Sequence, residues 1–244
     1  YEACLTADQV EAVHEFEFLV ADREPATGAE EDVDDRALVV ESDRGRGKSS
    51  AAGLAAGAAA ADGLDVLVTA PNRRNAAEVF DRARELFATL DAAGDHPDED
   101  GHLVTTAGGA VRYEPPRVAA ESAAEPDLLI VDEAAALSVR LLDATLAADR
   151  VAYASTVHGY EGAGRGFSVR FREHLDDGDH AVRECRLAEP IRYAAGDPVE
   201  VWSFDALGLD ARPPVPAVVA DATPGSVTYE RIDGDDLLAD PTLL

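Results

Sequence analysis

Short apolar runs alternate along this chain with stretches of helical periodicity. Val10, Val13, Phe16 and Leu19-Val20 recur at helical spacing behind Thr6, which is placed to cap a helix. Ala37-Leu38-Val39-Val40 is continuously apolar, as a strand buried on both faces must be, and an Ala-rich helix over residues 51–61 comes after it. Residues 65–70 read as a second buried strand ended by Pro71. Asn72 then caps a long helix reaching about Asp91, with Ala76, Val79, Phe80, Ala83, Leu86, Phe87 and Leu90 on its buried face. Further strands are predicted over residues 127–132, 150–156 and 180–187, the last an edge strand, and over 227–232. Helices are predicted over 137–148, 167–174 and 197–207, the last with Trp202 packed inside. The stretch through Val111-Arg112-Tyr113 is weakly β-like, and residues 22–36 and 91–102 are acidic loops. Strands alternating with helices predict an α/β fold, a mostly parallel sheet with helices on both faces.

The chemistry gathers where strands end. Asp43-Arg44-Gly45-Arg46-Gly47-Lys48-Ser49-Ser50 joins the first strand to the Ala-rich helix, the geometry in which backbone N–H groups at a helix N-terminus converge on an anion. Read as a P-loop, it lets Lys48 reach the β and γ phosphates of a nucleotide, with the Ser49 hydroxyl on Mg²⁺. The pattern G-x-x-x-x-G-K-[ST] asks for Gly at position 42, where this chain has Ser42. Against that departure stands composition: of 21 basic residues, Lys48 is the one lysine and all the others are arginine. A compact ammonium has been kept where phosphates would lie. The competing reading is a Gly-rich surface turn.

Leu128-Leu129-Ile130-Val131 runs into Asp132 and Glu133, which places both acids at the carboxyl edge of the sheet beside the P-loop. Asp132 would hold Mg²⁺ through water, and Glu133 would orient and deprotonate an attacking water. Ser155 and Thr156, ending the strand over 150–156, fit a sensor of the γ phosphate. The run Val157-His158-Gly159-Tyr160-Glu161-Gly162-Ala163-Gly164-Arg165-Gly166-Phe167 is too rich in Gly and in aromatic and charged residues for a simple connection. Arg192 follows Pro190 and is a candidate to contact phosphate from outside the P-loop. Gln9 is either a reader of an adenine edge or an ordinary helix Gln. Thr69-Ala70-Pro71-Asn72-Arg73 is either a nucleic-acid contact or a plain strand-to-helix cap.

A net charge of −28, from 49 acidic and 21 basic residues, would ordinarily argue against a nucleic-acid partner. Here the acid is spread along the chain, with one lysine and no methionine. That is the pattern of a protein living in molar salt, where repulsion is screened over a few Å. A local groove built from arginines stays compatible with it. Cys4 and Cys185 make no metal or redox spacing, which fits a reduced cytoplasmic setting, and no run is long and apolar enough for a membrane span. Starting at Tyr1 and ending at Leu244, the chain reads as a piece of a longer protein, with Pro213-Pro214-Val215-Pro216 a stiff linker.

Taken together, the segment around Lys48, Asp132-Glu133-Ala134-Ala135, the Gly-rich run from Ser155 to Phe167, and Glu189-Pro190-Ile191-Arg192-Tyr193 resemble the helicase-like ATPase module of the tRNA(Met) cytidine acetyltransferase family, in a haloarchaeal-type version. The resemblance implies a RecA-like P-loop NTPase core over residues 22–195, an adenine-side helix over 1–21, and an extension over 196–244 toward an acetyltransferase domain outside this chain. It also implies an enzyme that forms N4-acetylcytidine at the wobble position of elongator tRNA(Met) from acetyl-CoA and ATP. Gln9, residues 43–50 and Arg192 would bind ATP, and His158, Gly159 and Arg165 would couple it to tRNA, while acetyl-CoA would bind elsewhere in the full-length enzyme. Two other readings are a stand-alone RecD-like, superfamily 1 nucleic-acid-dependent ATPase and a module that nucleotide merely locks.

Overall fold

The computed structural model describes residues 1–21, 35–94, 102–156, 170–192, 194 and 196–207. In chain order the elements are α1 (Ala7–Val20), β1 (Arg36–Ser42), α2 (Lys48–Ala61), β2 (Asp65–Thr69), α3 (Ala77–Leu90), β3 (His102–Val104) and β4 (Ala110–Tyr113). They continue as α4 (Pro116–Glu121), β5 (Leu128–Asp132), a 3-10 turn (Ala134–Ala136), α5 (Val139–Thr145), β6 (Arg150–Thr156), α6 (Arg172–Asp176), β7 (Ala181–Leu187) and α7 (Pro198–Leu207). The predicted linker at 213–216 and strand at 227–232 lie outside the described residues.

The strands form one sheet in the order β3-β4-β2-β5-β6-β1-β7. Every pairing is parallel except β3 with β4. Parallel neighbours need crossovers, and the helices that supply them cover both faces. Alternation along β1 shows how: Leu38 and Val40 pack with α1, α2 and α3, while Ala37 and Val39 join Leu142 of α5 and Phe171 and Leu175 at α6. β7, expected at an edge, is the edge strand beside β1.

Thr6 caps α1 as expected, its hydroxyl accepting from the Gln9 N–H at 3.3 Å. Of the predicted stripe, Phe16 and Leu19 are buried and Val13 and Val20 pack partly buried against the core, but Val10 is exposed and Gln9 and Ala12 go inside in its place. The reason is α2, whose close Ala-rich surface admits Ala12 and whose first residue is preceded by Gly47, the hydrogen-bond partner of Gln9. Arg36 and Arg183 both stack on Phe18, at 5.3 and 3.9 Å from its ring centre, which fastens α1 to β1 and β7.

α3 starts at Ala77 rather than at Asn72. The Asn72 side-chain oxygen accepts from the N–H groups of Arg74 and Asn75 at 3.0 and 3.3 Å, so Asn72 closes a turn ahead of the helix. The buried face of α3 is Val79, Phe80, Ala83 and Phe87, with Leu90 exposed at its C-terminal end. α2 and α3 approach closely: a Cβ on Gly53 would lie 2.5 Å from the Val79 carbonyl oxygen and 2.8 Å from Arg82 Cβ. α5 is shorter than predicted.

The chain divides into two compact units, Tyr1–Asp197 and Pro198–Leu244. In the second, α7 buries none of its side chains and Trp202 is 68% exposed, against the expectation that it packs inside. Val199, Val201, Trp202 and Leu207 are spread around the helix, so there is no single apolar stripe to bury.

Candidate nucleotide site at the carboxyl edge of the sheet

β6 lies between β1 and β5, so the segments leaving these three strands sit side by side. Beyond β1 the chain turns through Gly45 and Gly47, whose φ values of 81° and 86° are left-handed and suit glycine. Gly47 is the N-cap of α2 and no side chain caps that helix, which leaves first-turn N–H groups for another partner. A cleft of about 350 Å³ opens here, lined by residues 42–50, by Arg74, Asn75 and Glu78, and by Glu133, Ile191 and Arg192. That volume falls at the low end of the range for ligand sites.

Lys48 Nζ donates to Glu133 Oε1 at 2.7 Å, and the Thr156 hydroxyl donates to Glu133 Oε2 at 3.2 Å. Glu133 therefore bridges the ends of α2 and β6, held in a left-handed backbone conformation at φ 51°. Asp132 is buried, and its Oδ1 accepts the Glu133 N–H at 2.9 Å while its Oδ2 has no hydrogen-bond partner. Burial pushes its carboxyl up to about 6, against the opposing pull of Lys48 and the Ser49 hydroxyl.

An orphaned carboxylate oxygen beside a hydroxyl is a fitting oxygen donor pair for Mg²⁺, which takes one or two protein ligands and completes its octahedron with phosphate and water. Among the described residues no group of three or more His, Cys, Asp and Glu forms a metal cage. Asp43, Arg44, Arg46, Ser49 and Ser50 all line the cleft. Arg192 reaches it from a segment distant in sequence, its Cδ and Cγ 3.6 and 3.9 Å from where a Gly45 Cβ would be. Ser42, where the motif asks for Gly, is buried at the end of β1 with its hydroxyl unpartnered.

Gln9 is wholly buried. Its Nε2 donates to the Gly47 carbonyl at 3.2 Å and its Oε1 accepts the Leu5 N–H at 2.8 Å, so its amide is turned onto the P-loop backbone. Ser155, one residue before Thr156, is buried in β6. His158, Gly159 and Arg165 lie outside the described residues, as does Tyr193. Of the two readings of residues 69–73, the local one accounts for the observed bonds. Thr69 donates to the Glu114 carbonyl at 2.8 Å, Asn72 closes its turn, and Arg73 stacks on Phe80 at 4.1 Å. The next residues, Arg74 and Asn75, with Glu78 of α3, form a wall of the cleft that sequence reasoning missed. Their one signal was position, just after the carboxyl end of β2.

Comparison with known proteins agrees with this geometry. The family described as RNA cytidine acetyltransferase NAT10/TcmA, helicase domain, matches residues 39–210. The tRNA(Met) cytidine acetyltransferase TmcA of Haloferax volcanii is 59% identical over 244 residues, all of this chain and 31% of the relative. Its namesake in Haloarcula marismortui is 53% identical over 246 residues, again the whole chain and 30% of the relative. The chain thus spans about a third of the length of these relatives. In fold it is similar to the large terminase of a thermophilic bacteriophage, with a TM-score of 0.50 at 12% identity over 74% of this chain and 45% of that one. A P-loop NTPase-like parallel sheet, a cleft at its carboxyl edge and a match running through both place the chain in the helicase-domain family of the RNA cytidine acetyltransferases NAT10/TcmA.

Proposed function

We propose that this chain is the ATP-hydrolysing, tRNA-remodelling module of an enzyme that makes N4-acetylcytidine at the wobble position of elongator tRNA(Met) in the cytoplasm. The observation that carries the reading is the bridge from Lys48 through Glu133 to Thr156 at the mouth of the P-loop cleft. Residues 22–195 are the motor, residues 1–21 flank its nucleotide, and 196–244 lead toward an acetyltransferase domain that holds acetyl-CoA.

In this reading the N–H groups at the start of α2 and the Lys48 ammonium receive the β and γ phosphates, and Lys48 exchanges Glu133 for phosphate oxygen. The freed Glu133 carboxylate orients a water, and takes its proton as the oxygen attacks the γ phosphorus and the β-phosphate oxygen departs with ADP. Mg²⁺, held by Asp132 and Ser49, would supply charge neutralisation on those oxygens. Arg192 approaches the phosphates from outside the loop, Thr156 follows the position of Glu133, and Ser155, His158, Gly159 and Arg165 carry the change to the RNA side.

The test is ATP hydrolysis in molar KCl, with and without tRNA, for the wild type and Lys48→Ala. Turnover that needs Lys48 and rises with tRNA is the expected result. Tight Lys48-dependent binding with no turnover would favour a nucleotide-locked module, and stimulation by DNA over RNA would favour a RecD-like ATPase.

A further inference from the structure

Three segments distant in sequence meet at the first turn of α1. Asp8, half-buried there, accepts two consecutive backbone N–H groups on one oxygen, those of Ala188 at 2.6 Å and Glu189 at 2.7 Å. Its other oxygen accepts the Thr6 hydroxyl. Gln9 next to it holds the Gly47 carbonyl at 3.2 Å. At the far end of the same short segment the Ile191 N–H donates to the Gly45 carbonyl at 3.1 Å. Pro190 has no N–H and a fixed φ. Between Ala188 and Ile191, then, every backbone donor is committed, two to Asp8 and one to the P-loop. Arg192 is the next residue, and its side chain lies over Gly45 in the cleft.

We infer that Asp8 is a positioning residue for Arg192: its carboxylate fixes the segment from which Arg192 enters the nucleotide cleft, and Gln9 ties that segment's anchor to the P-loop itself. The inference rests on the reading of the cleft as a nucleotide site. Bonds from a carboxylate to backbone N–H groups are charge-assisted, and a stiff segment of four residues leaves little slack for Arg192 to find its place without them. α1 accordingly acts as a strap joining the loop that would hold the phosphates to the arginine that would approach them.

The experiment is a titration of a fluorescent ATP analogue with Mg²⁺ in molar KCl. It uses the whole chain as wild type, Lys48→Ala, Arg192→Ala, Asp8→Ala, Asp8→Asn and the double variant Asp8→Ala/Arg192→Ala, each also melted without nucleotide. Arg192→Ala should weaken binding by about tenfold or more, and Asp8→Ala by a similar factor. The double variant should bind no more weakly than Arg192→Ala alone, because both changes remove the same interaction. Asp8→Asn should bind close to wild type, since one amide oxygen can accept both N–H groups. Losses that multiply in the double variant would overturn the inference, as would an Asp8→Ala effect confined to the melting temperature, or an Asp8→Asn variant as weak as Asp8→Ala. If Arg192→Ala alone is silent while binding still requires Lys48, the nucleotide site stands and the strap falls. Binding indifferent to Lys48 would overturn both.

Discussion

The Lys48 ammonium and the Glu133 carboxylate are 2.7 Å apart, with only 9% and 18% of their side chains exposed. The one lysine of the chain is thus paired with the residue that the proposed mechanism makes the base, and the same carboxylate takes the Thr156 hydroxyl. A phosphate at Lys48 competes with that carboxylate for the same ammonium. In the proposed mechanism, binding and activation of the base are linked through a single exchange of partners.

Glu133→Gln should separate the two. The amide cannot take a proton, so turnover should fall by about 10²- to 10⁴-fold. ATP affinity should hold or rise, because Lys48 loses a charged competitor. Single-turnover hydrolysis alongside nucleotide titration checks both, and wild-type turnover would remove Glu133 from the role of base.

Asp132 predicts a pH effect of unusual sign. Its carboxyl is raised from 3.8 to about 6 by burial, so between those values the folded chain binds more protons than the unfolded one. Stability from this group is present below the lower value and is lost as pH rises through the upper one, amounting to about 3 kcal/mol when Asp132 is fully ionised. Asp132→Asn should remove that slope. In molar KCl with a chelator, the melting temperature of the wild type should drop relative to the variant across about pH 4 to 6, and then run parallel to it. With Mg²⁺ and ATP the wild type should be the more active of the two, because in the proposed mechanism the variant lacks the charged ligand.

Gly53→Ala sets two effects against each other. Alanine favours a helix interior by about 1 kcal/mol over glycine. The added Cβ would lie 2.5 Å from the Val79 carbonyl oxygen, a backbone atom that yields only if α3 moves. Overpacking typically costs about 1–3 kcal/mol, so the variant should be destabilised, with a lower thermal midpoint than Gly57→Ala. At Gly57 the contacts are looser, 3.1 Å to Leu86 Cδ2 and 3.2 Å to the Ala83 Cα, so a shift of a few tenths of an ångström relieves them.

The strands that carry the site were legible because strands buried on both faces leave apolar runs: residues 37–40, 65–70 and 128–131 each read as β, and each holds a strand of the sheet. The P-loop was legible because glycine spacing and a lone lysine are local marks. The face of α1 was legible in part: Phe16 and Leu19 are buried as their spacing predicts and Val13 and Val20 pack against the core, but Val10 is exposed, and only the Ala-rich surface of α2 explains why Ala12 and Gln9 go inside instead. Asp8 was equally hidden. Its partners Ala188 and Glu189 lie 180 and 181 positions away and offer only backbone N–H groups, which no sequence pattern distinguishes. Arg74 and Asn75 followed a strand end, a signal shared by any strand-to-helix turn.

β6 is an interior strand with β1 on one side and β5 on the other, and Thr156 is its last residue. In the language of circuits, Lys48 and Asp132 are two inputs on the lines either side of β6 and the Thr156 hydroxyl is a tap on the node where they join, Glu133. The peptide bond after Thr156 is the output lead. A sheet ordered with β1 next to β5 would have no such tap between them, so if the cleft takes phosphate and cation as proposed, the strand order itself exposes one covalent exit to both.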